Sequence, residues 1–183
     1  MTSSSRRSLA RFVASSPVRS RTFRTTSPAL VAVNDPVPDL DLVEDSPGNK
    51  VNLSKELAQG QGLIIGVPAA FSPSCSANHL PGYINHPKLK DAGRVFVVSV
   101  NDPFVMKAWS STLDPAGQSG IRFLGDPSAA FNSALDLLFD SAAIFGNNRS
   151  KRYALLTQDG KITKLAIEPD NTGVDVSKAD NLL

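Results

Sequence analysis

The chain has 183 residues, 41% of them hydrophobic and 20% charged, which suits one domain with a single core and no more. Its one cysteine and two histidines, without carboxylates clustered at ligand spacing, exclude a disulfide framework and a recognisable zinc site. The net charge of +2 is unevenly spread: six arginines fall in residues 1–33, and removing them from the 19 basic residues leaves 13 against 17 acidic ones.

That first segment, with Arg6, Arg7, Arg11, Arg19, Arg21 and Arg24, many serines and threonines, and no acid before Asp35, has the composition of a mitochondrial transit peptide. A chloroplast address is the alternative. Leu9, Phe12, Val13 and Val18 between the arginines fit an amphipathic import helix better than a nucleic-acid-binding arm. Residues 1–33 are thus expected to be the leader and 34–183 the folded domain. No apolar run reaches the length of a membrane span.

Val31 to Val43 reads as an extended entry, Pro36 and Pro38 discouraging helix. Pro47-Gly48-Asn49-Lys50 predicts a hairpin turn before Val51-Asn52-Leu53-Ser54. Gly62 to Val67 is a buried strand stopped by Pro68, and Ser72-Pro73 then opens a helix as N-cap and first helical position. Gly60-Gln61-Gly62 precedes that strand and is too short for a dinucleotide loop, so no cofactor is called for. Arg94 to Val100 is a second buried strand. Asp102-Pro103 opens a helix to about Ser111, and Asp126-Pro127 another to about Leu138. Tyr153–Thr157 and Lys161–Ile167 form a hairpin around Gln158-Asp159-Gly160, and Ser177 caps a short terminal helix. Alternating elements that close on a hairpin predict an α/β fold, a mixed central sheet flanked by helices.

Cys75 falls in the first turn of the Ser72-Pro73 helix, where free N–H groups and the helix dipole favour an anion. An ordinary thiol of pKa about 8.5 is about 3% thiolate at pH 7, and about 90% ionisation requires a pKa near 6. The difference is about 3.4 kcal/mol, more than the about 2 kcal/mol a helix end supplies. A second cation is required.

Pro68-Ala69-Ala70-Phe71-Ser72-Pro73-Ser74-Cys75 resembles the peroxidatic motif of the peroxiredoxins, and Ser76-Ala77-Asn78-His79-Leu80-Pro81-Gly82-Tyr83 resembles their type II, peroxiredoxin-five branch. Val98 to Val105, Trp109, Phe123 to Pro127, Phe145 to Tyr153 and Gln158-Asp159-Gly160 extend the resemblance over residues 34–183. It implies a thioredoxin-like fold and a thiol peroxidase acting on hydrogen peroxide and alkyl hydroperoxides. The resemblance makes Cys75 the nucleophile that becomes a sulfenic acid, Ser72 the hydroxyl bridging thiolate and peroxide, and Pro68 the thiolate's shield. It makes Arg152 the cation and gives His79, four residues after Cys75, an auxiliary place near the pocket. Arg149 and Lys151 are rival cations that spacing alone does not eliminate. Phe71, Phe104, Trp109 and Phe145 read as core, with a pocket or dimer contact as the alternative.

Where many relatives carry a resolving cysteine, the segment Thr172 to Ser177 has valine, and Val97 stands at another such position. No internal disulfide can form, so an external thiol must reduce the sulfenic acid. Glutathione with glutaredoxin, or thioredoxin, are the candidate partners, and the resemblance implies a homodimer. The alternative function is a peroxide sensor that passes oxidation to client proteins through a mixed disulfide. No nucleic acid, membrane or metal is implied.

Overall fold

Continuous apolar runs become the centre of a seven-stranded sheet in the structure, a computed structural model that describes Met1 and residues 30–183. The basic leader therefore lies almost wholly outside the described residues. The strands are β1 Asp41–Glu44, β2 Ser46–Asn52, β3 Gln61–Val67, β4 Arg94–Ser99, β5 Arg122–Gly125, β8 Tyr153–Gln158 and β9 Lys161–Ile167, ordered β2-β1-β5-β4-β3-β8-β9. A separate pair is formed by β6 Leu138–Phe139 and β7 Arg149–Ser150. β3, β4 and β5 are mutually parallel, and antiparallel strands complete both sides. The mixed sheet agrees with the thioredoxin-like expectation.

β3 is apolar along its length because both its faces are covered. Leu63, Ile65 and Val67 meet Leu80 and Tyr83, Met106 and Trp109 on one face, while Ile64 meets Leu42, Phe96, Phe131 and Leu155 on the other. The first face is roofed by helix α2, a π-helical stretch over Cys75–His79 that continues as α-helix over Leu80–Ile84, and by α3 Pro103–Leu113. Shorter helices are α1 Leu53–Glu56, α4 Ala130–Ala134, α5 Ala142–Phe145 and α6 Ala179–Leu182. The Asp102-Pro103 start is as expected: the Asp102 carboxylate accepts from the N–H groups of Phe104 and Val105.

Four local expectations are corrected. The first hairpin turns at Asp45, φ +60°, and Pro47 to Lys50 lie within β2. β2 is an edge strand, so Pro47 can sit in it without breaking the sheet. Asp126-Pro127 opens no long helix: Ala129 takes φ +58°, and the Asp126 carboxylate reaches past it to the N–H groups of Phe131 and Asn132. That turn delays α4 to Ala130, and Leu138 joins β6 instead. At the C-terminus Lys178 precedes α6, because the Ser177 hydroxyl is bonded to Glu168. Phe71 and Phe104 are exposed and Phe145 is half-buried; only Trp109 of the four aromatics is fully buried.

The β3–β8 register carries the site. Gly66 pairs with Tyr153, so the end of β3 that leads to Pro68 lies beside the start of β8 that follows Arg152. This close pairing needs glycine, because a Cβ on Gly66 would occupy the Tyr153 ring, which is buried and tied by its hydroxyl to Asn132 Oδ1 at 2.9 Å. Gly66→Ala is expected to lose about 1–3 kcal/mol of stability through overpacking. Urea unfolding checks it, and an unchanged midpoint would count against the close-approach account.

Candidate active site

Pro68 follows the last residue of β3, buried and without an N–H that would extend the ladder. The loop beyond it is held to the β4 side of the sheet: the Ala70 N–H and the Ser99 hydroxyl both donate to Asn101 Oδ1, at 3.1 and 2.8 Å. Phe71 then takes φ +60°, an uncommon conformation for a bulky residue, with its ring 6.3 Å from that of Trp109. This left-handed step turns the chain into the helix, where the Ser76 N–H donates to the Ser72 carbonyl at 2.9 Å. The widened turn that follows closes with the Leu80 N–H on the Cys75 carbonyl, and π-turns of this kind recur at functional sites. Cys75 and His79, both buried, belong to that one turn.

The structure brings together four of the five expected side chains by direct hydrogen bonds. Ser72 Oγ donates to Cys75 Sγ at 2.8 Å, and Arg152 Nη1 donates to the same sulfur at 3.3 Å. The Ser72 hydroxyl thus serves the sulfur where a helix cap would serve a backbone N–H. Arg152 is 1% exposed, and its Nε and Nη2 both donate to the Thr172 carbonyl at 3.1 Å, which sets the plane of the guanidinium. Nη1 also faces His79 Nδ1 at 3.2 Å. These four bonds leave one Nη2 hydrogen of the five guanidinium hydrogens without an acceptor among the described residues. Pro68 bounds the loop through the backbone.

Burial, helped by the neighbouring Arg152 charge, lowers the His79 pKa from 6.5 to about 4, against the opposing pull of the Ser177 carbonyl and Glu168. The ring is therefore neutral at pH 7, and a neutral ring with Arg152 on one side is no ready proton acceptor. Burial also acts against the Glu168 carboxylate, but the Ser177 hydroxyl and the N–H groups of Ser177, Asp175 and Val176 outweigh it and hold its pKa below the ordinary value. Burial pushes the Tyr83 phenol up, and its hydroxyl donates to the Ser177 carbonyl at 2.6 Å.

The rival cations are elsewhere. Arg149 donates to the Val100 carbonyl at 2.6 Å and lies over the Phe145 ring, and Lys151 makes no bond to the sulfur. His86 pairs with Asp180 at the surface. Sequence reasoning missed Glu168, Thr172 and Asn101, and took Ser177 for a cap. Their signal is weak because each acts through a backbone group or a buried contact across the fold. Among the described residues no group of three or more His, Cys, Asp or Glu could hold a metal, and no helix is long and apolar enough to cross a membrane.

Residues 32–183 match the Redoxin family. The chain is 41% identical over 157 residues to peroxisomal membrane associated protein 20 of Schizosaccharomyces pombe, covering 84% of this chain and 98% of that protein. It is 36% identical to Peroxiredoxin-2B of Arabidopsis thaliana, over 85% of this chain and 98% of that one. The crystal structure of peroxiredoxin 5 from Alvinella pompejana superposes with a TM-score of 0.70 at 38% identity, covering 78% of this chain and 92% of that one.

The His79 shift gives a pH dependence with a definite sign. Between pH 6.5 and about 4 the unfolded histidine takes a proton that the buried one refuses, so acid in this window favours unfolding. The His79 contribution to stability is complete above pH 6.5 and falls by about 3 kcal/mol toward pH 4, at 1.36 kcal/mol per unit. Chemical denaturation of the wild type and of His79→Asn across this window checks it: the variant is expected to have the flatter profile, and parallel profiles would reject the assignment.

Proposed function

The chain belongs to the redoxin family and is a peroxiredoxin, a thiol peroxidase of the type II branch, and on that footing we propose that Cys75 alone carries the peroxidase cycle. The observation that supports this reading most is the sulfur of the only cysteine accepting hydrogen bonds from both Ser72 and Arg152. In the cycle, the thiolate attacks the terminal oxygen of hydrogen peroxide or an alkyl hydroperoxide. An S–O bond forms as the O–O bond breaks, sulfur loses two electrons, and the leaving oxygen departs as water or an alcohol after taking a proton. Ser72 is the hydroxyl that can donate and accept as charge moves from sulfur to oxygen. Arg152 is the permanent cation, with the unused Nη2 hydrogen available to the developing negative charge. Pro68 shields the sulfur and adds no competing donor. His79, neutral, has an auxiliary role through Arg152.

An external thiol then condenses with the sulfenic acid, releasing water, and a second thiol frees Cys75 by attacking the mixed disulfide. Cys75 is 0% exposed, so the first turn of α2 must open for that thiol to reach it. Glutathione with glutaredoxin, or thioredoxin, is the proposed reductant class. The proposed homodimer is supported by the exposed rings of Phe71, which directly precedes Ser72, and of Phe104 at the start of α3. A mitochondrial matrix location is supported by the arginine-rich, acid-free composition of residues 1–33. Import of a reporter fused to these residues into mitochondria tests it, and uptake by chloroplasts alone would reject it.

Cys75→Ser is expected to abolish peroxide consumption under saturating dithiothreitol, and a variant retaining most activity would refute the role of the thiol. Arg152→Lys is expected to slow Cys75 oxidation at least about tenfold in stopped flow, since a point charge does not replace an oriented fork. A coupled assay offering thioredoxin and glutathione–glutaredoxin separately is expected to sustain turnover with at least one of them, and failure with every external thiol would overturn the one-cysteine cycle.

A further inference from the structure

The function of the His79 ring depends on which nitrogen carries its proton. Nδ1 faces Arg152 Nη1 at 3.2 Å, while Nε2 faces the Ser177 carbonyl oxygen at 3.0 Å and the Ser177 hydroxyl oxygen at 3.2 Å. A guanidinium can only donate and a carbonyl can only accept, so the neutral ring holds its proton on Nε2 and a lone pair on Nδ1. The Ser177 hydroxyl cannot contest this arrangement, because its hydrogen goes to Glu168 Oε1 at 2.6 Å and only its lone pairs are left for the ring. The same carboxylate oxygen accepts the N–H groups of Asp175 at 2.7 Å and Ser177 at 2.9 Å, which fixes the segment that presents the Ser177 carbonyl. Glu168 is 2% exposed and follows β9, with its own N–H on the Arg152 carbonyl at 3.0 Å.

Arg152 Nη1 has two hydrogens in a plane set by Thr172. An acceptor at His79 Nδ1 takes one and leaves the other directed at Cys75 Sγ. The opposite tautomer would set N–H against N–H and turn the guanidinium off the sulfur.

We propose that Glu168 is a positioning residue for the peroxidase reaction: through Ser177 it holds His79 as the Nε2–H tautomer, and the Nδ1 lone pair then aims Arg152 at the Cys75 sulfur. Its effect on rate rests on the peroxidase reading; its effect on the tautomer does not.

The test uses the full chain with two readouts, the ¹⁵N resonances of the His79 ring and the stopped-flow rate of Cys75 oxidation by hydrogen peroxide. Wild type is expected to show a protonated Nε2 and a bare Nδ1. Glu168→Ala is expected to lose that single tautomer and to oxidise Cys75 at least about tenfold more slowly. Glu168→Gln, which keeps an acceptor oxygen, is expected to recover most of the rate. In a His79→Asn background, whose side-chain oxygen faces Arg152 as an acceptor in place of Nδ1, Glu168→Ala is expected to add little further loss. A protonated Nδ1 in wild type, a wild-type rate in Glu168→Ala, or the same fold-loss in both backgrounds overturns the proposal; the last is what a merely structural carboxylate would give. Where Glu168→Ala does not fold, Glu168→Asp withdraws the oxygen by one methylene, and the same losses are expected of it. A wild type that ignores peroxide overturns the peroxidase reading instead, and the ring resonances still decide whether Glu168 sets the tautomer.

Discussion

The guanidinium of Arg152 is the constraint around which this fold is arranged. A charge taken out of water costs several kcal/mol unless it is compensated, and Arg152 is 1% exposed. No carboxylate pairs with it among the described residues; its acceptors are the Thr172 carbonyl, a neutral imidazole and the Cys75 sulfur. Every acceptor around this buried cation other than the sulfur is therefore neutral. Opposite unit charges about 4 Å apart attract by about 4 kcal/mol at an effective dielectric of about 20. A helix end contributes at most about 2 kcal/mol even when partly buried. The arginine, more than the helix terminus, therefore sets the field at the sulfur.

Holding that cation in place accounts for otherwise unrelated parts of the chain. The β3–β8 register brings Arg152 next to the loop that begins at Pro68, across 84 positions of sequence. The turn after β9 supplies Thr172 to one edge of the fork, and Ser177 and Glu168 stand behind His79 on the other. The left-handed step at Phe71 and the π-turn over Cys75–His79 put sulfur and imidazole on the same guanidinium nitrogen. Strained or widened backbone of this kind persists only where surrounding contacts over-determine it, and here Asn101 and Trp109 supply them.

The legible parts of the sequence were those whose physics is local. An apolar run ended by proline gave β3, Asp102-Pro103 gave α3, and Asp159-Gly160 gave the last hairpin. The same Asp-Pro pair misled at Asp126, because whether an aspartate caps a helix at once or bridges a turn depends on the conformation of Ala129, which no local pattern dictates. Pro47 misled for the converse reason: a proline forbidden in a central strand is permitted at an edge, and edge position is a property of the whole sheet. Cys75 was visible through its place at a helix start. Ser72 was locally legible only as a cap and gained its role at the sulfur through resemblance, as did Arg152, which nothing local separates from Arg149 and Lys151. Glu168 was invisible because a buried carboxylate held by a hydroxyl and backbone N–H groups is written with the same letter as a solvated one.

In the proposed cycle, oxidation of Cys75 would change the balance on which the closed site rests. A thiolate completes the charge on Arg152, whereas a sulfenic acid is neutral and larger by one oxygen in a position that is 0% exposed. The product therefore withdraws the anion and crowds the space that hold the first turn of α2 against the sheet. Both effects would weaken the closed arrangement at the stage where the proposed cycle admits an outside thiol. In the proposed cycle the two hydrogen bonds that prepare the sulfur for attack, from Ser72 and Arg152, are the ones that an added oxygen would disturb. On the proposed one-cysteine cycle, this coupling ties the opening of α2 to the oxidation state of the only sulfur that can react.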